Sequence, residues 1–207
     1  MGNFFCLIPN TKLAFVAISK NAVTFLKKVA IFNDTQQWVE SEDDAHNIIG
    51  FSEQSKYLVP VTGIREYENK NGKLIKIAVW RDPIKRIESI YKHFFIEREY
   101  RQYFHYMGLY YENDFSRFME FLEFEWEKKY SDAQDEHVRR QSDYYSISDV
   151  DHIIPIEKVN DFLLKYNISF IPEKSNETKS SFKIENQKYL EKIKKYYEVD
   201  WGIVCNY

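Results

Sequence analysis

Residues 12–19 (KLAFVAIS) form a near-continuous apolar run with a β-branched bias, and the chain passes from them straight into residues 21–30, apolar at 22, 25, 26, 29 and 30. The first pattern is that of a strand covered on both faces, the second that of a helix with one apolar stripe. A strand that delivers the chain directly into a helix is the opening half of a βαβ unit. This junction therefore predicts a sheet with parallel strands and covering helices. The pattern returns at residues 74–80 (LIKIAVW), entered through the turn at Asn71-Gly72 and closed by Asp82-Pro83. Ile84, Ile87, Ile90, Tyr91, Phe94 and Phe95 then line one helical face, with Pro83 suited to its first turn. Residues 38–50 read as an acidic surface loop or short helices. Asp114 is placed to cap a helix carrying Phe115, Phe118, Leu122 and Trp126. A short strand over 152–156, a helix over 157–166, a strand over 168–171, a polar loop over 173–181 and a helix over 187–198 complete the reading. The expected class is α/β, a mainly parallel central sheet flanked by helices in three layers.

At 207 residues the chain fits one domain, residues 1–207, with no repeat or linker to divide it. A net charge of -3 provides no global basic field, so nucleic acid is not an expected partner and any polyanion needs local donors. Two cysteines, Cys6 and Cys205, make no disulfide framework. No charged segment followed by a long apolar run opens the sequence, and no run approaches the roughly 20 residues of a membrane helix. The expectation is a cytoplasmic protein without stable membrane insertion. Aromatic residues make up 17% of the chain, enough for a core built of rings with some left to line a ligand pocket.

Two places carry chemistry. At Ser19-Lys20-Asn21-Ala22-Val23-Thr24 a buried strand presents the N-terminus of a helix, where unsatisfied backbone N–H groups and the helix dipole favour phosphate or sulfate. Lys20 adds a cation and Thr24 a hydroxyl, yet the segment lacks the glycines of a Walker A loop. The second place is Val79-Trp80-Arg81-Asp82-Pro83 with Arg86 and Ser89. It sets Arg81 at the carboxyl edge of the sheet, where α/β folds bind ligands. The planar guanidinium suits a phosphate, and Ser89 follows two helical turns later.

Together these segments resemble a known family. Lys20-Asn21-Ala22-Val23-Thr24 after FVAIS is similar to the 5'-phosphosulfate loop of sulfotransferases that use 3'-phosphoadenosine-5'-phosphosulfate (PAPS), and AVWRDPIKRIESIYKHF is similar to their 3'-phosphate motif. The likeness is greatest to the carbohydrate, Golgi-type branch. His137-Val138-Arg139-Arg140-Gln141 resembles that branch's H-x-x-P-Q segment with Arg140 in place of Pro, and Asp200-Trp201 resembles its closing D-[YF] element. The resemblance implies a P-loop-like fold and sulfuryl transfer from PAPS, leaving PAP, to a hydroxyl group. It implies that Lys20 and the amides of Asn21, Ala22, Val23, Thr24 and Phe25 cradle the 5'-phosphosulfate. Arg81 and Ser89 would hold the 3'-phosphate, and Lys179 and Ser180 would close over the nucleotide.

Sulfuryl transfer needs no metal where Lys and Arg carry the counter-charge, and no paired ligands at metal spacing appear. The acceptor hydroxyl needs a general base, and histidine suits neutral pH. His46, in a Glu-Asp-Asp-Ala-His-Asn setting between the nucleotide motifs, is the favoured base and His137 is favoured to hold the substrate, with His137 or a Glu or Asp carboxylate as the alternative base. His93, His105 and His152 read as packing residues. The ring-rich, cation-poor run 100–111 (YRQYFHYMGLYY) points to a neutral saccharide or glycolipid acceptor, with a sterol-like alcohol as the alternative. Lack of a signal points to a bacterial-type member. A nucleotide kinase or a non-catalytic nucleotide-binding module are the readings of another class.

Overall fold

The computed structural model describes residues 3–50, 54–97, 114–168 and 182–205. The chain forms two compact units, Met1–Trp80 with Tyr144–Asn176, and Arg81–Asp143 with Glu177–Tyr207.

The first unit holds a five-stranded sheet: β1 (Phe4–Leu7), β2 (Leu13–Val16), β3 (Leu58–Pro60), β4 (Ile75–Trp80) and β5 (His152–Pro155), in the order β3-β1-β2-β4-β5. β2 pairs with β4 and β4 with β5 in parallel, while β1 is antiparallel to both neighbours, so four of the five strands share one direction. The mainly parallel sheet expected from the sequence is present. The reversed strand, β1, and its partner β3 are additions the sequence reading did not contain.

Helices α1 (Val23–Thr35), α2 (Glu42–Ile49), α3 (Ile64–Asn71) and α6 (Val159–Lys165) belong to this unit. Alternate residues of the strands feed two cores. Phe15, Ile77 and Val79 pack with Leu26, Val29, Ala45 and Leu163 from α1, α2 and α6. Ala14, Val16 and Ala78 pack with Ile64 of α3 and with Tyr144, Tyr145 and Val150. The period-2 alternation of strand side chains thus produces helix, sheet and a second cover, the three layers. Gly72, at φ 92°, ends α3 in a conformation that glycine reaches without steric cost. Within α3, the buried Glu68 accepts from the Leu74 amide (3.0 Å) and Lys76 Nζ (2.9 Å), fastening the helix to the start of β4. Burial alone would raise its carboxyl pKa, yet these bonds and the charges of Lys76 and Lys73 hold it below the ordinary glutamate range.

Cys6 is a free, buried thiol in β1, pushed up to about 12 by burial against the opposing pull of Lys27. The thiolate is the reactive form. Iodoacetamide at pH 8 is therefore expected to leave Cys6 unmodified in the folded protein and to label it in urea. Labelling of the folded chain, mapped by peptide mass, would show the strand to be open.

The second unit is helical: α4 (Pro83–Tyr91), continued by a π-helical turn over Lys92–Glu97, α5 (Phe115–Trp126), α7 (Gln187–Tyr196) and α8 (Glu198–Cys205). Asp82, Asp114 and Asn186 cap α4, α5 and α7 with side-chain oxygens, two of these caps being the aspartates the sequence marks. The core here is made of rings. Tyr91 meets Phe95, Phe115, Phe118 and Phe182 at centroid distances of 5.8, 5.0, 5.4 and 4.6 Å. Much of the aromatic content is thus structural. Of the strand expected over 168–171, Ile168 is irregular chain and the rest lies outside the described residues.

Candidate active site

The loop from β2 to α1 is bent by two left-handed non-glycine residues, Lys20 (φ 66°) and Ala22 (φ 61°). Such residues cost of order 1–2 kcal/mol each and persist where surrounding contacts fix them. Asn21 does the fixing. It is 1% exposed, its side-chain amide donates to Val79 O of β4 (2.7 Å), and its backbone N–H donates to Ile18 O (3.1 Å). The Asn21 N–H, one of the five amides expected to cradle a phosphosulfate, is thereby used within the loop. Ala22 caps α1 without a side-chain hydrogen bond, and the first helical bond runs from Leu26 N to Ala22 O. Helices α2, α4, α5 and α7 each have one first-turn amide bonded by a Ser, Asp or Asn cap, whereas the N-cap of α1 is Ala22, whose side chain cannot accept. An anion satisfies such a helix end.

His46 lies in α2, on a short helix rather than an open loop, and reaches the first turn of α1. Lys27 Nζ stands 2.9 Å from His46 Nδ1; His46 Nε2 faces the Thr24 hydroxyl at 3.5 Å and the Glu42 carboxylate at 3.7 Å. Thr24 in turn donates to Glu42 Oε1 at 3.2 Å. An ammonium group can only donate, so Nδ1 accepts from Lys27 and the ring proton sits on Nε2. Four side chains thus form one donor chain, Lys27 to His46 to Thr24 to Glu42, that holds the start of α1. The sequence marked His46 and Thr24; Lys27 was hidden because a lysine within an apolar helix pattern looks like a surface residue.

In the second unit, Arg81 follows β4 directly, Asp82 accepts from Lys85 N (3.0 Å) as the cap of α4, and Ser89 is buried on that helix. Arg86, 1% exposed, donates to the carbonyls of Arg139 (2.7 Å) and Glu136 (3.3 Å), and so shapes the segment that carries His137. His137 donates both its backbone N–H (2.8 Å) and Nδ1–H (2.9 Å) to Asp135 Oδ1. The Asp135 amide donates to Glu125 Oε2 (2.6 Å), a buried carboxylate that Lys128 also holds. Burial would raise the Asp135 carboxyl, but the His137 hydrogen bonds and charge outweigh it and keep it below the ordinary aspartate range. With Nδ1–H tied to Asp135, Nε2 is the acceptor nitrogen of the neutral ring, and it lies 4.0 Å from Glu136 Oε1. That is the tautomer of an Asp-His general base.

The departure from the H-x-x-P-Q pattern also has a structural reason. Arg140 lies over the Tyr196 ring at 4.4 Å and donates to Tyr196 O (2.9 Å), and Tyr196 stacks on Trp126 at 4.5 Å. Arginine there gains a cation–π contact and a carbonyl partner that proline cannot have. His152 opens β5 against Phe162 and His93 packs edge-on to Phe94, as expected of packing residues. Lys179, Ser180, His105 and the run 100–111 lie outside the described residues.

Residues 4–202 match the family model of the sulfotransferase family. The chain belongs to the sulfotransferase family. No curated protein and no solved structure gives a match. The match draws on both units, and sulfuryl transfer is the chemistry that this family member's phosphosulfate-type loop and Arg-Asp-Pro corner are to be read against. Among its described residues this sulfotransferase gathers no group of three or more His, Cys, Asp or Glu side chains, and no helix is long and apolar enough to cross a membrane.

Proposed function

We propose that residues 1–207 act as one PAPS-dependent sulfotransferase domain of the carbohydrate branch, a cytoplasmic, bacterial-type member that sulfates a hydroxyl of a neutral saccharide or glycolipid. The observation that carries this reading is the start of α1, where the N-cap Ala22 supplies no side-chain cap and Lys20 stands just before it in a left-handed turn. The first-turn amides and Lys20 take the 5'-phosphosulfate, and Arg81 with Ser89 takes the 3'-phosphate. The donors are set before the substrate arrives, so charge developing on the leaving oxygen meets them without reorganisation. The proton of the acceptor hydroxyl passes to a histidine. The sequence favours His46 for that role; the hydrogen bonds favour His137, because Asp135 gives it the tautomer of a base while Lys27 occupies His46 Nδ1.

PAP without added metal is expected to raise the melting temperature by several degrees, since a ligand that binds only the folded state adds RT ln(1 + [L]/Kd). A thermal-shift series with PAP, ATP and GTP, each with and without Mg²⁺, checks it. Preference for ATP, or an absolute need for Mg²⁺, would favour a kinase; nucleotide binding with no turnover across an acceptor library using labelled PAPS would favour a non-catalytic module.

A further inference from the structure

The most complete polar arrangement among the described residues of the second unit surrounds the backbone of Arg81, not its side chain. Gln141, 1% exposed, grips that residue from both sides: Oε1 accepts from Arg81 N (3.0 Å) and Nε2 donates to Arg81 O (2.8 Å). The pair of bonds mimics one rung of a strand pair and fixes both peptide planes that flank the Arg81 Cα. Gln141 is itself held by Asp200, 0% exposed. Asp200 Oδ2 accepts from Gln141 N (2.9 Å) and lies 3.4 Å from Gln141 Nε2, and Oδ1 accepts from Ser142 N (2.9 Å). One residue on, Trp201 Nε1 donates to Asp82 Oδ2 at 3.3 Å. Helix α8 therefore supplies two residues that hold the Arg81–Asp82 corner, one through Gln141 and one directly.

A buried carboxylate and a buried amide are costly to desolvate unless each is fully bonded. Packing alone does not call for them here. A hydrophobic pair would fill the same volume but could not set the backbone torsion angles of Arg81. We infer that Gln141 and Asp200 are positioning residues that set the direction of the Arg81 guanidinium and so determine the preference for a nucleotide bearing a 3'-phosphate. The inference rests on the reading of Arg81 as the 3'-phosphate ligand. A fork that donates two parallel bonds is sensitive to angle, and a misplacement of about 1 Å can cost as much as a hundredfold.

The test is the ratio of affinities for PAP and for 5'-AMP, which lacks the 3'-phosphate, read by titration calorimetry on the full chain. Gln141→Met should weaken PAP by about 10- to 100-fold, with 5'-AMP held within a few-fold. In an Arg81→Ala background the same substitution should cost PAP nothing further, because residues that act through one contact are not additive. Asp200→Asn, which keeps one acceptor, should fall between. Gln141→Asn, too short to span both Arg81 groups, replaces Gln141→Met if the latter does not fold. If the folded Gln141 variant keeps the wild-type ratio while Arg81→Ala collapses it, the positioning role is wrong and the Arg81 reading stands. If Arg81→Ala leaves the ratio unchanged, the Arg81 reading falls and the positioning role with it. Equal loss of PAP and 5'-AMP in the Gln141 variant would reduce the clasp to a structural element.

Discussion

His137→Ala is expected to lose about a hundredfold to ten-thousandfold in kcat while binding PAP as the native chain does, the loss typical of removing a positioned base. The reason lies in which nitrogen is committed. Asp135 accepts from His137 Nδ1–H, and Glu125 accepts from the Asp135 amide, so the imidazole is oriented with Nδ1 as its protonated nitrogen. Asp135→Asn should reproduce much of the loss by favouring the other tautomer. His46→Ala should instead weaken the hold on the first turn of α1, seen as a higher KM for PAPS with a smaller change in kcat. Steady-state kinetics at saturating acceptor, beside PAP titrations, separates the two. If His46→Ala carries the loss of kcat and His137→Ala raises only the acceptor KM, the assignment made from the sequence is the right one.

Lys20→Ala is expected to lower kcat by about a hundredfold or more, with PAP affinity changed by only a few-fold. A cation beside the bridging oxygen gains most when that oxygen takes up charge, and interactions stronger in the transition state than in the ground state appear in kcat. Lys20 sits in a left-handed turn between Asn21, tied to β4, and the end of β2, which fixes the direction from which the ammonium approaches. Arginine at this position should restore charge but not geometry, leaving kcat well below native. Kinetics over a range of PAPS concentrations checks the split. A raised KM for PAPS with kcat intact would make Lys20 a uniform binding residue with no part in the chemistry.

Local pattern was enough to read the elements that bear the two phosphate-type motifs. The apolar run ending near Ser19 became β2 and its helical continuation α1; residues 74–80 became β4, with Asp82 and Pro83 opening α4. These depend on neighbours within one turn or one strand, through side-chain periodicity, a cap and a fixed proline φ, so they are written in consecutive residues. Lys20 and Arg81 stand just beyond the ends of β2 and β4 for the same reason.

What only tertiary structure decided involves partners far apart in the chain. β1 and β3 pair across residues 4–60 with little local signal, since four- and three-residue strands are too short to show a period. Arg86 turns inward because the carbonyls of Glu136 and Arg139, 50 and 53 residues away, accept from it. The grip of Gln141 and Asp200 on Arg81 joins residues 59 and 60 apart. The protonated nitrogen of His46 follows the same logic, since the donor that reaches its Nδ1 is Lys27 in a different helix, whereas His137 takes its partner, Asp135, from two residues away. Where the partner comes from a distant part of the chain, as at His46, Arg81 and Arg86, no window of consecutive residues contains that information.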